Sequence, residues 1–99
     1  MLYILSMRYK VTMKPKVIKG LHQLPDAVSE RLAELLEDIA ESGPVQPRWR
    51  NYSMIGKNEY HCHLGYKWVA CWRLKDDMVT VEVFYAGSRE SAPYERVHH

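Results

Sequence analysis

Four strand-like runs follow one another between residues 52 and 85, separated by gaps of only two or three residues. They cover residues 52–55, 59–64, 67–74 and 78–85, and each is rich in β-branched and aromatic side chains or alternates polar with apolar. That is the pattern of a pleated, half-buried strand. The punctuation is Gly56-Lys57-Asn58, Gly65-Tyr66 and Lys75-Asp76-Asp77. A parallel crossover needs a dozen or more residues, so gaps this short make neighbours pair antiparallel, as a meander.

The first half reads differently. Residues 8–13 alternate, with Tyr9, Val11 and Met13 on one side and Arg8, Lys10 and Thr12 on the other, which predicts a strand. Lys14-Pro15 breaks it, and Val17, Ile18 and Leu21 suit a short helix ending near Leu24. Pro25 opens a second helix in which Val28, Leu32, Leu35, Leu36 and Ile39 form one apolar stripe. Gly43-Pro44 stops it. A strand, two helices and a run of strands make one α+β domain spanning residues 1–99, with the helices on one face of a mainly antiparallel, twisted sheet.

Net charge is +2, but unevenly placed. Residues 24–42 carry six carboxylates against Arg31 alone, a net −5, which leaves +7 for the rest of the chain. Such asymmetry points to a polyanionic partner on one face. No apolar run approaches the roughly 20 residues of a membrane helix. The opening seven residues are too short for a signal-peptide core and lack a basic start, and Met7 is an alternative first residue. Cys62 and Cys71 have no zinc-type spacing, so buried, reduced thiols in a cytoplasmic protein are expected.

Strand parity then distributes the chemistry. Tyr60, Cys62 and Leu64 share one face, so His61 and His63 share the other. Val79, Val81, Val83 and Tyr85 form an apolar row expected under the helices. Val69 and Cys71 would also suit the core, but placing Trp68, Ala70 and Trp72 there leaves Lys67 and Arg73 beside the histidines, on a face expected to be open, basic and without a carboxylate cluster. Arg89 and Tyr94 follow the last strand, and Arg48, Arg50 and Lys57 add cations for a nucleic-acid backbone. Bases, cations and a phenol are what cleavage of a phosphodiester requires. Blander readings exist: Arg89 can pair with Glu90 or Glu82, and Tyr94 can simply pin the C-terminal segment. Two histidines two residues apart can ligate zinc, but Cys62 points to the opposite face and no third ligand is evident, so no metal and no cofactor are expected.

Tyr60-His61-Cys62-His63-Leu64, Trp68-Val69-Ala70-Cys71-Trp72, residues 81–90 ending in Gly87-Ser88-Arg89-Glu90, and Ala92-Pro93-Tyr94 resemble the RelE/ParE superfamily of bacterial toxins from type II toxin–antitoxin systems. The resemblance implies a toxin that stops translation by cutting mRNA on the ribosome without a metal, held in check by a cognate antitoxin. It implies that Arg89 matches the family's final arginine and Tyr94 its tyrosine. Lys67 falls near the middle arginine, with Arg73 as the alternative. The family's lysine positions fall on His61 and His63, either of which can act as base near neutrality. Lys67 and Arg89 would hold the phosphate, and Tyr94 would donate a proton or stack on a base. Two other functions fit the same resemblance: a gyrase inhibitor without nuclease activity, and an inactive member that only binds its antitoxin or RNA.

Overall fold

The computed structural model describes residues 3–6 and 8–94, and the backbone alone for the first four of these. The chain forms β1 (Tyr3–Ser6), β2 (Lys10–Met13), α1 (Pro15–Gly20), a 3₁₀ turn (Leu21–Gln23), α2 (Asp26–Ser42), β3 (Ser53–Gly56), β4 (Glu59–His63), β5 (Trp68–Leu74) and β6 (Thr80–Ser88). One six-stranded sheet results, in the order β1-β2-β6-β5-β4-β3. The meander β3 to β6 is antiparallel throughout, as its short gaps dictate. β2 inserts beside β6 in parallel, Lys10 opposite Thr80 and Met13 opposite Val83, and the connection between them runs through both helices and then β3 to β5. The edge strand β1 lies in a segment whose residue pattern predicts no element. It pairs antiparallel with β2, Ser6 opposite Lys10. The alternative start at Met7 lies outside the described residues.

The core lies between the helices and one sheet face. α2 buries Val28, Leu32, Leu35, Leu36, Ile39 and Ala40. Facing it are Cys62, Ala70, Trp72, Val81 and Val83, all fully buried. Buried polar atoms are matched: the Trp72 indole donates to the Pro44 carbonyl at 2.9 Å, and the Trp49 indole to Asp38 at 2.8 Å. The C-terminus of α2 is fastened by Arg8 and Tyr9, whose backbone N–H groups both donate to the Ala40 carbonyl at 3.1 Å. Gly43 follows with φ at 96°, and a Cβ there would sit 2.8 Å from the Tyr9 ring. Only glycine tolerates both the dihedral and the ring.

Two members of the expected apolar row leave it. Val79 is 45% exposed because the Asp77 carboxylate accepts from the N–H groups of Val79 and Thr80 and from the Thr80 hydroxyl. That turn delays the strand until Thr80. Tyr85 departs because the β5–β6 register shifts between Cys71 and Trp72: Trp72 pairs with Val83, but Cys71 pairs with Tyr85. The extra residue is a β-bulge and reverses side-chain parity beyond it. Ala86 packs against the core instead. The Tyr85 hydroxyl donates to the Ser88 carbonyl at 2.6 Å, and a Cβ on Gly87 would lie 2.9 Å from that oxygen.

The sheet face away from the helices is not fully open. Val69 and Cys71, cross-strand partners of His63 and His61, are completely buried yet lie outside the helix-side core. The chain reverses after β6, with the Ala92 N–H donating to the Arg89 carbonyl at 3.2 Å, and brings Tyr94 onto His61. Ala92, also fully buried and also outside the helix-side core, belongs to this returning segment. Both cysteines are free, and burial pushes each thiol up to about 12. They are therefore inert at neutral pH. Among the described residues no helix is long and apolar enough to cross a membrane.

Candidate functional site

The site forms where β4, the start of β5 and the segment after β6 meet. His61 and His63 project from alternate positions of β4, their ring centroids 5.9 Å apart. They are in different environments. His61 is 8% exposed, its Nδ1 lies 3.1 Å from the Ser53 hydroxyl, and the Tyr94 ring sits 4.3 Å from its own. The Ser53 contact follows from the β3–β4 register, which places Ser53 opposite His61. His61 is thus held between a hydroxyl on one strand and a phenol on the returning segment.

His63 is half-buried and stands at the end of β4. Its backbone N–H donates to the Arg50 carbonyl at 2.8 Å, which ties the loop before β3 to the site. Its pKa is lowered, first by partial burial and then by the positive charges of Arg89 and Arg50. A lowered value keeps the ring neutral, able to accept a proton, at physiological pH. Arg89 is positioned through its backbone: its N–H donates to the Lys67 carbonyl at 2.7 Å, so that Lys67 and Arg89 come side by side. Among the described residues none of Arg50, Lys67 and Arg89 takes part in an ion pair. Their charge is available to an incoming anion.

Other candidate cations go elsewhere. Arg73 shares the histidine face but is committed: its guanidinium bridges Glu59 at 3.3 Å and Glu82 at 3.2 Å and lies 4.0 Å over the Phe84 ring. Lys75 approaches the same Glu82 at 3.7 Å. The expectation of a face without a carboxylate cluster therefore fails at this end. Glu59 and Glu82 are the cross-strand neighbours of Arg73 in register, and they neutralise it. Arg48 lines a surface hollow with Asp38 and Glu41 at the end of α2, on the helix side. Lys57 occupies the β3–β4 turn, at the Glu59 end of β4. Four residues of strand, roughly 13 Å, separate that end from His63. The face is thus divided into a neutralised half around Arg73 and a cationic half around His63.

Replacing Arg73 with methionine is expected to destabilise the fold by about 1–2 kcal/mol, the sum of two partly exposed ion pairs and a cation–π contact. Urea melts would measure that loss. The activity proposed below should be unchanged, and a matching loss of activity in folded protein would return Arg73 to the site.

Among the described residues no group of three histidines, cysteines or carboxylates could hold a metal ion. What the described residues bring together is an imidazole with a lowered pKa, cations beside it that form no ion pair, and a phenol packed on a second imidazole.

Two helices packed on one face of a mainly antiparallel sheet, with β2 inserted in parallel beside the last strand, define a recognisable architecture. The chain has the RelE-like toxin fold. It is similar over 87% of its length to all of the toxin chain in an archaeal RelE–RelB complex from Pyrococcus horikoshii, at 23% identity and a TM-score of 0.67. It is similar over 91% of its length to 94% of the isolated E. coli RelE toxin, at 20% identity and a TM-score of 0.65. The YoeB dimer from Staphylococcus aureus matches over 82% of this chain and 97% of its own, at 13% identity and a TM-score of 0.66. No protein-family model and no curated protein sequence matches.

Proposed function

We propose that this protein is the toxin of a toxin–antitoxin pair and inhibits translation by cutting mRNA, on the ribosome, with side-chain chemistry alone. The observation that supports this most is the setting of His63: a ring kept neutral by burial and by two guanidiniums, beside cations that form no ion pair among the described residues. The same charges that keep the base neutral attract the phosphate it must work on.

In the proposed reaction His63 takes the proton of a ribose 2′-hydroxyl. The 2′-oxygen forms a bond to the adjacent phosphorus as the bond from phosphorus to the 5′-oxygen breaks. Arg89, Lys67 and Arg50 hold the phosphate and stabilise the charge that builds on its oxygens. Tyr94, fixed against His61, gives its proton to the departing 5′-oxygen. The products are a 2′,3′-cyclic phosphate and a 5′-hydroxyl. His61 positions Tyr94 and does not act as base. An antitoxin partner is supported by similar structures, which include RelE–RelB and YoeB–YefM complexes.

Incubating the purified protein with messenger on translating ribosomes tests this directly. The expected result is fragmentation, with cyclic phosphate at the new 3′ ends. Intact messages accompanied by stalled DNA gyrase and DNA damage in cells would replace this reading with gyrase inhibition.

A further inference from the structure

Tyr66 is 81% exposed, more than any other large apolar or aromatic side chain on the protein's described surface. An isolated exposed aromatic is ordinary. This one, however, stands in the turn between β4 and β5 at the lip of a cavity of about 420 Å³, with Trp68, Lys67, Ser88, Arg89 and Glu90 as the other walls. The walls are fixed by backbone. Trp68 pairs with Ser88, the Leu64 N–H donates to the Trp68 carbonyl at 2.8 Å, and the Arg89 N–H donates to the Lys67 carbonyl at 2.7 Å. The cavity shares Lys67 and Arg89 with the cleavage site, so it borders the position of the scissile phosphate.

We propose that this cavity is a nucleobase subsite: it takes the base of a nucleotide flanking the cleaved bond, with Tyr66 stacking on its face and Glu90 accepting from N–H groups on its edge. This rests on the reading of the protein as one that binds RNA, but not on cleavage. The chemistry of the walls selects a base over a phosphate. Two aromatics offer apolar faces, and base–aromatic stacking is indifferent to sequence. Glu90 would repel a phosphate placed in the cavity, while Lys67 and Arg89 attract one to its rim. A carboxylate is acceptor-only and so favours base edges that present donors. The surface is thus graded from cationic rim to aromatic, acceptor-lined interior, matching a nucleotide's order from phosphate to base.

The test uses binding to a strand that cannot be cut. Fluorescence anisotropy would compare a short 2′-deoxy oligonucleotide with an abasic strand of equal length and charge. The full-length protein is expected to bind the base-bearing strand roughly 5- to 140-fold more tightly, the range that stacking of one base supplies. Tyr66→Ala should remove most of that ratio by weakening the base-bearing strand alone, and Tyr66→Trp should preserve it. Glu90→Ala should narrow the ratio from the other side, by strengthening the abasic strand. Equal binding of the two strands by the wild type, or by neither strand at all, overturns the subsite, as does a ratio unchanged in Tyr66→Ala. The last would leave Tyr66 to a protein partner. Discrimination in a protein that cuts no messenger would uphold the subsite and remove the nuclease. Cleavage without discrimination would do the reverse.

Discussion

Replacing His63 with glutamine is expected to lower the rate of messenger cleavage by about 10²- to 10⁴-fold, the usual share of a general base. Glutamine preserves much of the side chain's size and polarity but cannot take up the proton. The same change at His61 should cost much less, because His61 touches Tyr94 and Ser53 and reaches the reaction through them. Single-turnover rates on ribosome-bound messenger would compare the two variants. Equal losses would remove the distinction between a base at His63 and a positioning residue at His61.

The pH profile supplies a second check on His63. Its pKa lies below the ordinary 6.5, by burial first and then by Arg89 and Arg50. The neutral, active form therefore persists below pH 6.5, and the acidic limb of the wild-type rate should lie lower than for an ordinary histidine. Stability follows the same direction. As pH falls, the unfolded chain takes up this proton before the folded one does. The contribution of neutral His63 to stability is thus complete above the unfolded pKa and is lost as pH drops through the lowered folded value.

Much of the fold could be read from local chemistry, because its elements are separated by strong punctuation. Gly43-Pro44 ends α2, and the two- and three-residue gaps make β3 to β6 a meander. The faces of β4 followed from parity, and those of β5 from parity together with the placing of its tryptophans in the core. Parity failed at Tyr85, since a bulge is set by how two strands fit together and leaves no local signature in either. The fate of Arg73 was hidden for a related reason. Glu59 and Glu82 are 14 and 9 residues away in sequence, and only the register makes them neighbours. Arg89, His63 and Tyr94 were legible as residue types, but not the division of labour between the histidines. That depends on a tail whose return onto His61 no periodicity announces. β1 was missed because four residues carry too little pattern to identify a strand.

Arg89→Ala should also produce a large loss, and with the least structural disturbance. The side chain is exposed, and the tie between the tail and β5 runs through its backbone N–H, which alanine retains. The tail, Tyr94 and the fold should therefore persist, and urea melts should be close to wild type. What disappears is a cation that binds the phosphate and stabilises the charge developing on it. Loss of one such preorganised donor costs roughly 10²- to 10³-fold in rate, with weaker RNA binding in addition. Growth inhibition on expression should be relieved. Lysine at the same position keeps the charge but not the bidentate fork, so it should recover only part of the activity. A second readout separates this role from a merely structural one. Arg89 is one of the charges that lower the His63 pKa, so in Arg89→Ala that pKa should rise toward 6.5 in an NMR titration. A folded Arg89→Ala protein that stays fully toxic, with its His63 titration unmoved, would show that the two side chains do not share a site, and the proposed mechanism would fall with them.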